Sequence, residues 1–193
     1  MILYIKDMVC VRCIMLVKKI MDEMGIPYNK VELGQVELRY IITNDQKQQL
    51  KKALISWQLD LLDDNKQVLV EKIKCSVINL IHNEDEKPLL KTSHYLSSYL
   101  NYNYSYLANV FSQETGIWLS DYIISLKIEK AKELLVKEKL TISEIAWKLN
   151  YSSVAHLSNQ FTKITGLRPS QFKKKMHKIF IPPGKLIPMD IAS

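Results

Sequence analysis

Apolar positions change their period along the chain, and the change divides it. Ile2 to Ile5 form a short apolar run that predicts a strand. Ile14, Val17, Ile20, Met21 and Met24 then recur at helical spacing until Gly25 and Pro27 stop them. Between Tyr28 and Tyr40 the pattern alternates around Gly34, with Val31 and Leu33 before it and Val36 and Leu38 after. That predicts two short strands, or one bent at the glycine. Thr43-Asn44-Asp45-Gln46 has the form of a capping box and opens a helix through Leu50, Leu54 and Ile55. Leu59, Leu61 and Leu62 predict a last strand. Beyond them only helical periods occur. Asp64-Asn65 opens a helix carrying Val68, Ile73, Val77, Ile78 and Ile81, closed by the polar run His82 to Glu86 before Pro88. Leu119 to Lys137 reads as one long helix with Ile124, Ile128, Ala131 and Leu135 as its buried stripe. Thr141 and Glu144 form a second capping box, and Pro169 opens a short final helix ending in Lys173-Lys174-Lys175.

The expected fold class is α+β. Residues 1–64, in the order β-α-β-β-α-β, have the ferredoxin-like pattern. Residues 65–178 form an all-α domain, and residues 179–193, with Pro182-Pro183-Gly184 and Pro188, an extended or loosely docked tail.

The helical half contains a repeat. Leu96-Ser97-Ser98-Tyr99-Leu100-Asn101-Tyr102, Leu107-Ala108-Asn109-Val110-Phe111 and Thr115-Gly116 return as Ile145-Ala146-Trp147-Lys148-Leu149-Asn150-Tyr151, Leu157-Ser158-Asn159-Gln160-Phe161 and Thr165-Gly166. The first segment recurs 49 residues on and the other two 50, so the later turn holds one extra residue. Each position has a physical role in a helix-turn-helix unit. Ser97 and Ala146 are small where the two helices cross, and Leu107/Phe111 and Leu157/Phe161 close the second helix at i, i+4. Asn101 and Asn150 suit a left-handed residue at a sharp turn, and the glycines free the chain to reverse. The long helix joins the two units. At about 1.5 Å per residue it spans roughly 28 Å, against about 34 Å between successive major-groove windows on one face of B-DNA.

Charge follows the same division. Of the net +7 on 193 residues, none lies in residues 1–87, which carry 13 Lys/Arg against 13 Asp/Glu. Residues 88–193 carry 14 against 7. The excess therefore sits with the repeat, where it suits a polyanion such as DNA. Lys6 and Asp7 interrupt any secretory core at the N-terminus, no apolar run is long enough to span a membrane, and three cysteines make no disulfide framework. A cytoplasmic chain with reduced thiols is expected.

The helical half resembles the DNA-binding domain of the AraC/XylS family of bacterial transcription regulators. The resemblance rests on Phe111-Ser112-Gln113-Glu114-Thr115-Gly116, Tyr122, Lys127 to Leu135, Ile142 to Ala146, Asn150-Tyr151-Ser152-Ser153, Phe161, Thr165 to Ser170 and Phe172. It covers about half the chain. Two departures are Asn101 and Asn150, where the family usually has glycine, and Ser, Asn and His on faces where it often has Arg. The resemblance implies that the second helix of each unit, about residues 105–115 and 154–165, enters the major groove of double-stranded DNA. Carried over by position, the DNA-facing residues are Ser105, Tyr106, Ala108, Asn109 and Gln113 in the first unit. In the second they are Ser153, Ala155, His156, Ser158, Asn159 and Lys163, with Lys173, Lys174 and Lys175 on phosphates. Asn109 and Asn159 occupy matched places, and an Asn amide pairs with adenine N6 and N7; capping or bracing of the turn is the competing role. RNA polymerase, and a second copy joined through the N-terminal domain, are further candidate partners.

Met8-Val9-Cys10-Val11-Arg12-Cys13 after the first strand resembles the Met-x-Cys-x-x-Cys motif of the heavy-metal-associated fold, with Asp7 where that motif usually has glycine. Two thiols three apart at a helix start converge and suit Cu(I) or another thiophilic metal as the candidate cofactor, though not a four-ligand zinc site. Arg12 favours thiolate but repels a cation. Metal sensing, a reversible redox pair and plain packing all stay open; Met8 and Cys75 read as packing residues.

No enzyme is expected. The histidines (His82, His94, His156, His177) are scattered, and no nucleophile motif or phosphate loop appears. The leading expectation is an AraC-type regulator, with metal or thiol control at Cys10/Cys13. The alternative is a thiol-dependent metal-binding or carrier protein whose helical half binds another protein.

Overall fold

The computed structural model describes residues 1–82, 91–137 and 140–180, with side chains to residue 176. The polar run from residue 83 to Pro88, the side chain of His177 and the proline-containing tail beyond residue 180 lie outside the described residues. The chain divides into two compact units, Met1–Tyr122 and Ile123–Ser193.

In the first unit β1 (Ile2–Lys6), α1 (Val11–Glu23), β2 (Tyr28–Glu32), β3 (Gln35–Leu38), α2 (Asn44–Ile55) and β4 (Asp60–Leu62) follow in order. They form one four-stranded sheet, β2-β3-β1-β4, with every neighbouring pair antiparallel. Alternation decides which face each strand buries. Leu3 and Ile5 of β1, Val36 and Leu38 of β3 and Leu61 of β4 join Val17, Ile20 and Met21 of α1 and Leu50 and Leu54 of α2 in one core. Met8 is fully buried in it, which makes it a core anchor. Both halves of the first capping box close: Thr43 Oγ1 accepts from the Gln46 N–H, and Gln46 Oε1 accepts from the Thr43 N–H. Asp7 has φ +60°, a left-handed conformation that explains why glycine suits this place ahead of the Cys pair.

Tyr4 of β1 alternates to the other face, against which α3 (Asn65–His82) packs. α3 also packs on α4 (Thr92–Leu100) and α5 (Tyr104–Thr115), the first helical hairpin. Buried on two sides, α3 hides even Glu71, whose carboxylate Lys74 neutralises at 2.8 Å while the Asp7 N–H donates to it at 3.3 Å.

α6 (Leu119–Val136) is one continuous helix. Its buried residues are Leu119, Ile123, Ile128, Lys130, Ala131, Leu134 and Leu135. The expected stripe is thus corrected at its start: Ile123 is buried and Ile124 only half-buried. In the second unit α7 (Ile142–Lys148), α8 (Val154–Thr165) and α9 (Pro169–Phe180) follow, α7 packing on α8 and α8 on α9. Phe161, fully buried, meets Phe172 edge-on at 5.4 Å. The last helix runs past the lysines to Phe180 instead of ending there.

Candidate nucleic-acid interface

Each hairpin turns at a left-handed asparagine. Asn101 (φ +57°) follows α4, and Asn150 (φ +53°) stands in the turn after α7. The next helix in each unit opens on a side-chain cap. Asn103 Oδ1 accepts from the Tyr106 N–H at 3.0 Å, and Ser153 Oγ accepts from the His156 N–H at 3.1 Å. Neither cap was recognised as one in the sequence, where Ser153 reads as a DNA-facing residue. A short polar residue three ahead of the donor was the available signal. Both helices end on left-handed glycines, Gly116 and Gly166.

The extra residue of the later turn is Ser152, and it has a use. Its Oγ lies 3.2 Å from His156 Nδ1, while Gln160 Nε2 lies 3.0 Å from His156 Nε2. Tyr151 meets the same ring edge-on at 5.4 Å. The His156 ring is therefore exposed but oriented from three sides. In the first unit Tyr102 stacks on Tyr106, ring centroids 5.3 Å apart. In both hairpins a turn tyrosine thus sets the aromatic ring at the third position of the following helix.

Burial sorts the sequence-predicted residues. Ser105, Tyr106, Asn109 and Gln113 are exposed on α5 and Ala108 half-buried. Ser153 at the cap and Ala155, His156, Asn159 and Lys163 on α8 are exposed, and Ser158 is half-buried. Neither the Asn109 nor the Asn159 amide makes a side-chain hydrogen bond among the described residues, and neither forms the cap. Lys174 and Lys175 are exposed, whereas Lys173 is half-buried and its ammonium donates to the Leu140 carbonyl at 3.3 Å. Lys173 thus has a bracing contact that its place in a basic run did not reveal.

Cys10 and Cys13 do come together at the start of α1, sulfur to sulfur 3.3 Å. The Cys13 N–H and then its thiol, helped by Arg12, hold the exposed Cys10 below the ordinary thiol value. Burial, followed by the hydrogen bond that its thiol donates to Cys10, pushes Cys13 up. Such a pair fits a two-coordinate soft ion. No group of three or more His, Cys, Asp or Glu gathers as a metal cage among the described residues. Burial pushes Cys75 up to about 12.

Two helix-turn-helix hairpins of matching local geometry lie in the basic half of the chain, the arrangement of a helix-turn-helix domain. The helix-turn-helix domain family's model matches residues 96–175. The chain is 28% identical over 131 residues to the uncharacterized HTH-type transcriptional regulator YtdP of Bacillus subtilis, covering 68% of this chain and 17% of that protein. It is 34% identical over 101 residues to the uncharacterized transcriptional regulatory protein YesN of the same organism, covering 51% and 27%. It therefore spans well under two thirds of the length of these relatives. Among solved structures it is similar to the C-terminal domain of AraT, a response regulator from Geobacillus stearothermophilus, with 27% identity, TM-score 0.46 and coverage of 55% of this chain and 84% of that one. No helix among the described residues is long and apolar enough to cross a membrane.

Proposed function

We propose that this chain is a sequence-specific transcription regulator that lays α5 and α8 in successive major grooves of its operator. The observation that carries the reading is the pair Asn109 and Asn159. They hold equivalent places on the two helices, are exposed, and have side-chain amides with no hydrogen-bond partner among the described residues. Each accepts from and donates to an adenine edge, so each half-site contains an adenine there. Lys163, Lys174 and Lys175 contact phosphates, and Lys173 holds the loop before α7 while lending its charge. Two hairpins on one chain suit a monomer reading two windows.

We read the first six elements as a ferredoxin-like fold, supported by their order and by the all-antiparallel β2-β3-β1-β4 sheet. Cys10 and Cys13 are its regulatory pair, taking up Cu(I) or another soft ion, or closing to a disulfide by giving two electrons and two protons to an external disulfide; their 3.3 Å separation supports either. Hydroxyl-radical footprinting on a selected operator, with affinity followed against salt, tests the DNA reading. It should give two protected windows about 10 base pairs apart, with an affinity that falls steeply as salt rises. One window, or salt-independent binding, would contradict it.

A further inference from the structure

Within the first unit a cavity of about 730 Å³ opens between the second face of the sheet, α3 and the turn after α4. That volume is in the range of small-molecule sites, and its wall is mainly polar. Two carboxylates line it, each held by a lysine outside the lining, with Lys74 shared between Glu71 and Asp7. Glu32 pairs with Lys30 at 2.6 Å and accepts from Gln35, and Glu71 pairs with Lys74. Lys72 differs. Its ammonium sits 4.8 Å from the centre of the Tyr4 ring and makes no ion pair among the described residues. The wall therefore carries one ammonium that has no carboxylate partner among the described residues. Around it, the side-chain amides of Asn65, Asn79 and Asn101 line the same space without side-chain hydrogen bonds among the described residues, and Tyr99 and Tyr102 add aromatic surface.

We propose that this cavity binds a small organic anion, its carboxylate or phosphate on Lys72 and its hydroxyl or carbonyl groups on Asn79 and Asn101. The carbon skeleton lies against Tyr99 and Tyr102. The site also reaches the DNA-facing helix. Asn101 and Tyr102 form the turn of the first hairpin, and Tyr102 stacks on Tyr106 of α5. A bound anion braces that turn and fixes the Tyr106 ring, so occupancy changes DNA affinity. This second step rests on the DNA reading; the binding step does not.

The test separates the two. Isothermal titration of the full chain, without DNA, uses D-gluconate, citrate and D-glucose 6-phosphate as probes and neutral D-glucose as control. Saturable binding of at least one anion is expected, with none for glucose. Lys72→Met should weaken it about ten- to a hundredfold, the range for a charged hydrogen bond. Asn79→Phe, which fills the cavity, should abolish it in a protein whose thermal unfolding is unchanged. No saturable binding by any of the three anions, or binding indifferent to Lys72→Met, overturns the site. The anion that binds is then added to a DNA titration. A shift in half-saturation that Lys72→Met removes supports the control step. An unchanged half-saturation overturns that step alone, and failure to bind DNA with or without the anion overturns the DNA reading while leaving the site in place.

Discussion

Gly34→Ala combined with Cys75→Ala tests how the sheet is joined to α3. Gly34 turns β2 into β3 with φ +72°, and its carbonyl accepts from the Ile5 N–H at 2.9 Å, pinning the turn to β1. A Cβ added there would lie 2.7 Å from Cys75 Sγ. Two costs follow for Gly34→Ala alone. The left-handed backbone costs about 1–2 kcal/mol for a residue with a Cβ, and forcing a methyl into a filled space costs about 1–3 kcal/mol. Together they destabilise the first unit by roughly 2–5 kcal/mol. Cys75→Ala alone removes one buried sulfur, at about 1 kcal/mol. In the double variant the steric cost disappears and the backbone cost stays. The cycle should therefore show a favourable coupling of about 1–3 kcal/mol. Native-state hydrogen exchange of β1, β3 and α3 amides, with urea unfolding under reducing conditions, measures all four proteins. Costs that add to within about 0.5 kcal/mol would show that the sulfur is not what excludes a side chain at Gly34.

Other outcomes follow from the same geometry. Alkylation of the reduced protein near neutral pH, read by mass spectrometry, should modify Cys10 first and leave Cys75 untouched until unfolding, because hydrogen bonds from Cys13 lower the former and burial raises the latter. Phe111→Ala and Phe161→Ala, each emptying a fully buried site, should each cost about 3–5 kcal/mol by urea denaturation. Hydrogen bonds from the Thr141 hydroxyl and then its N–H hold Glu144 below the ordinary carboxylate value. A folded value below the unfolded one means the stabilisation is present above the unfolded pKa and lost as pH falls through the folded one. Acid unfolding of Glu144→Gln should therefore show less pH dependence over that window than the parent.

Much of this architecture was legible because local chemistry specifies it. Thr43 and Thr141 announce their capping boxes, and Asn101 and Asn150 mark turns that need a left-handed residue. The first position of the buried stripe on α6 was misassigned because Ile123 and Ile124 are adjacent, and a helical period alone does not choose between neighbours. Lys173 looked like its neighbours because its partner, the Leu140 carbonyl, stands 33 residues away. The cavity was invisible for the same reason. Tyr4, Glu32, Lys72 and Asn101 come from separate elements and share no spacing. The capping role of Ser153 was masked by its place in the AraC resemblance, which favoured a DNA-facing reading.

Selection of duplexes from a randomised library by the parent chain, Asn109→Ala and Asn159→Ala tests the central claim most directly. The parent should select two adenine-containing blocks about 10 base pairs apart, and each variant should relax the adenine of one block only, losing about 1–3 kcal/mol of discrimination there. Sequence preference unchanged in both variants would contradict it.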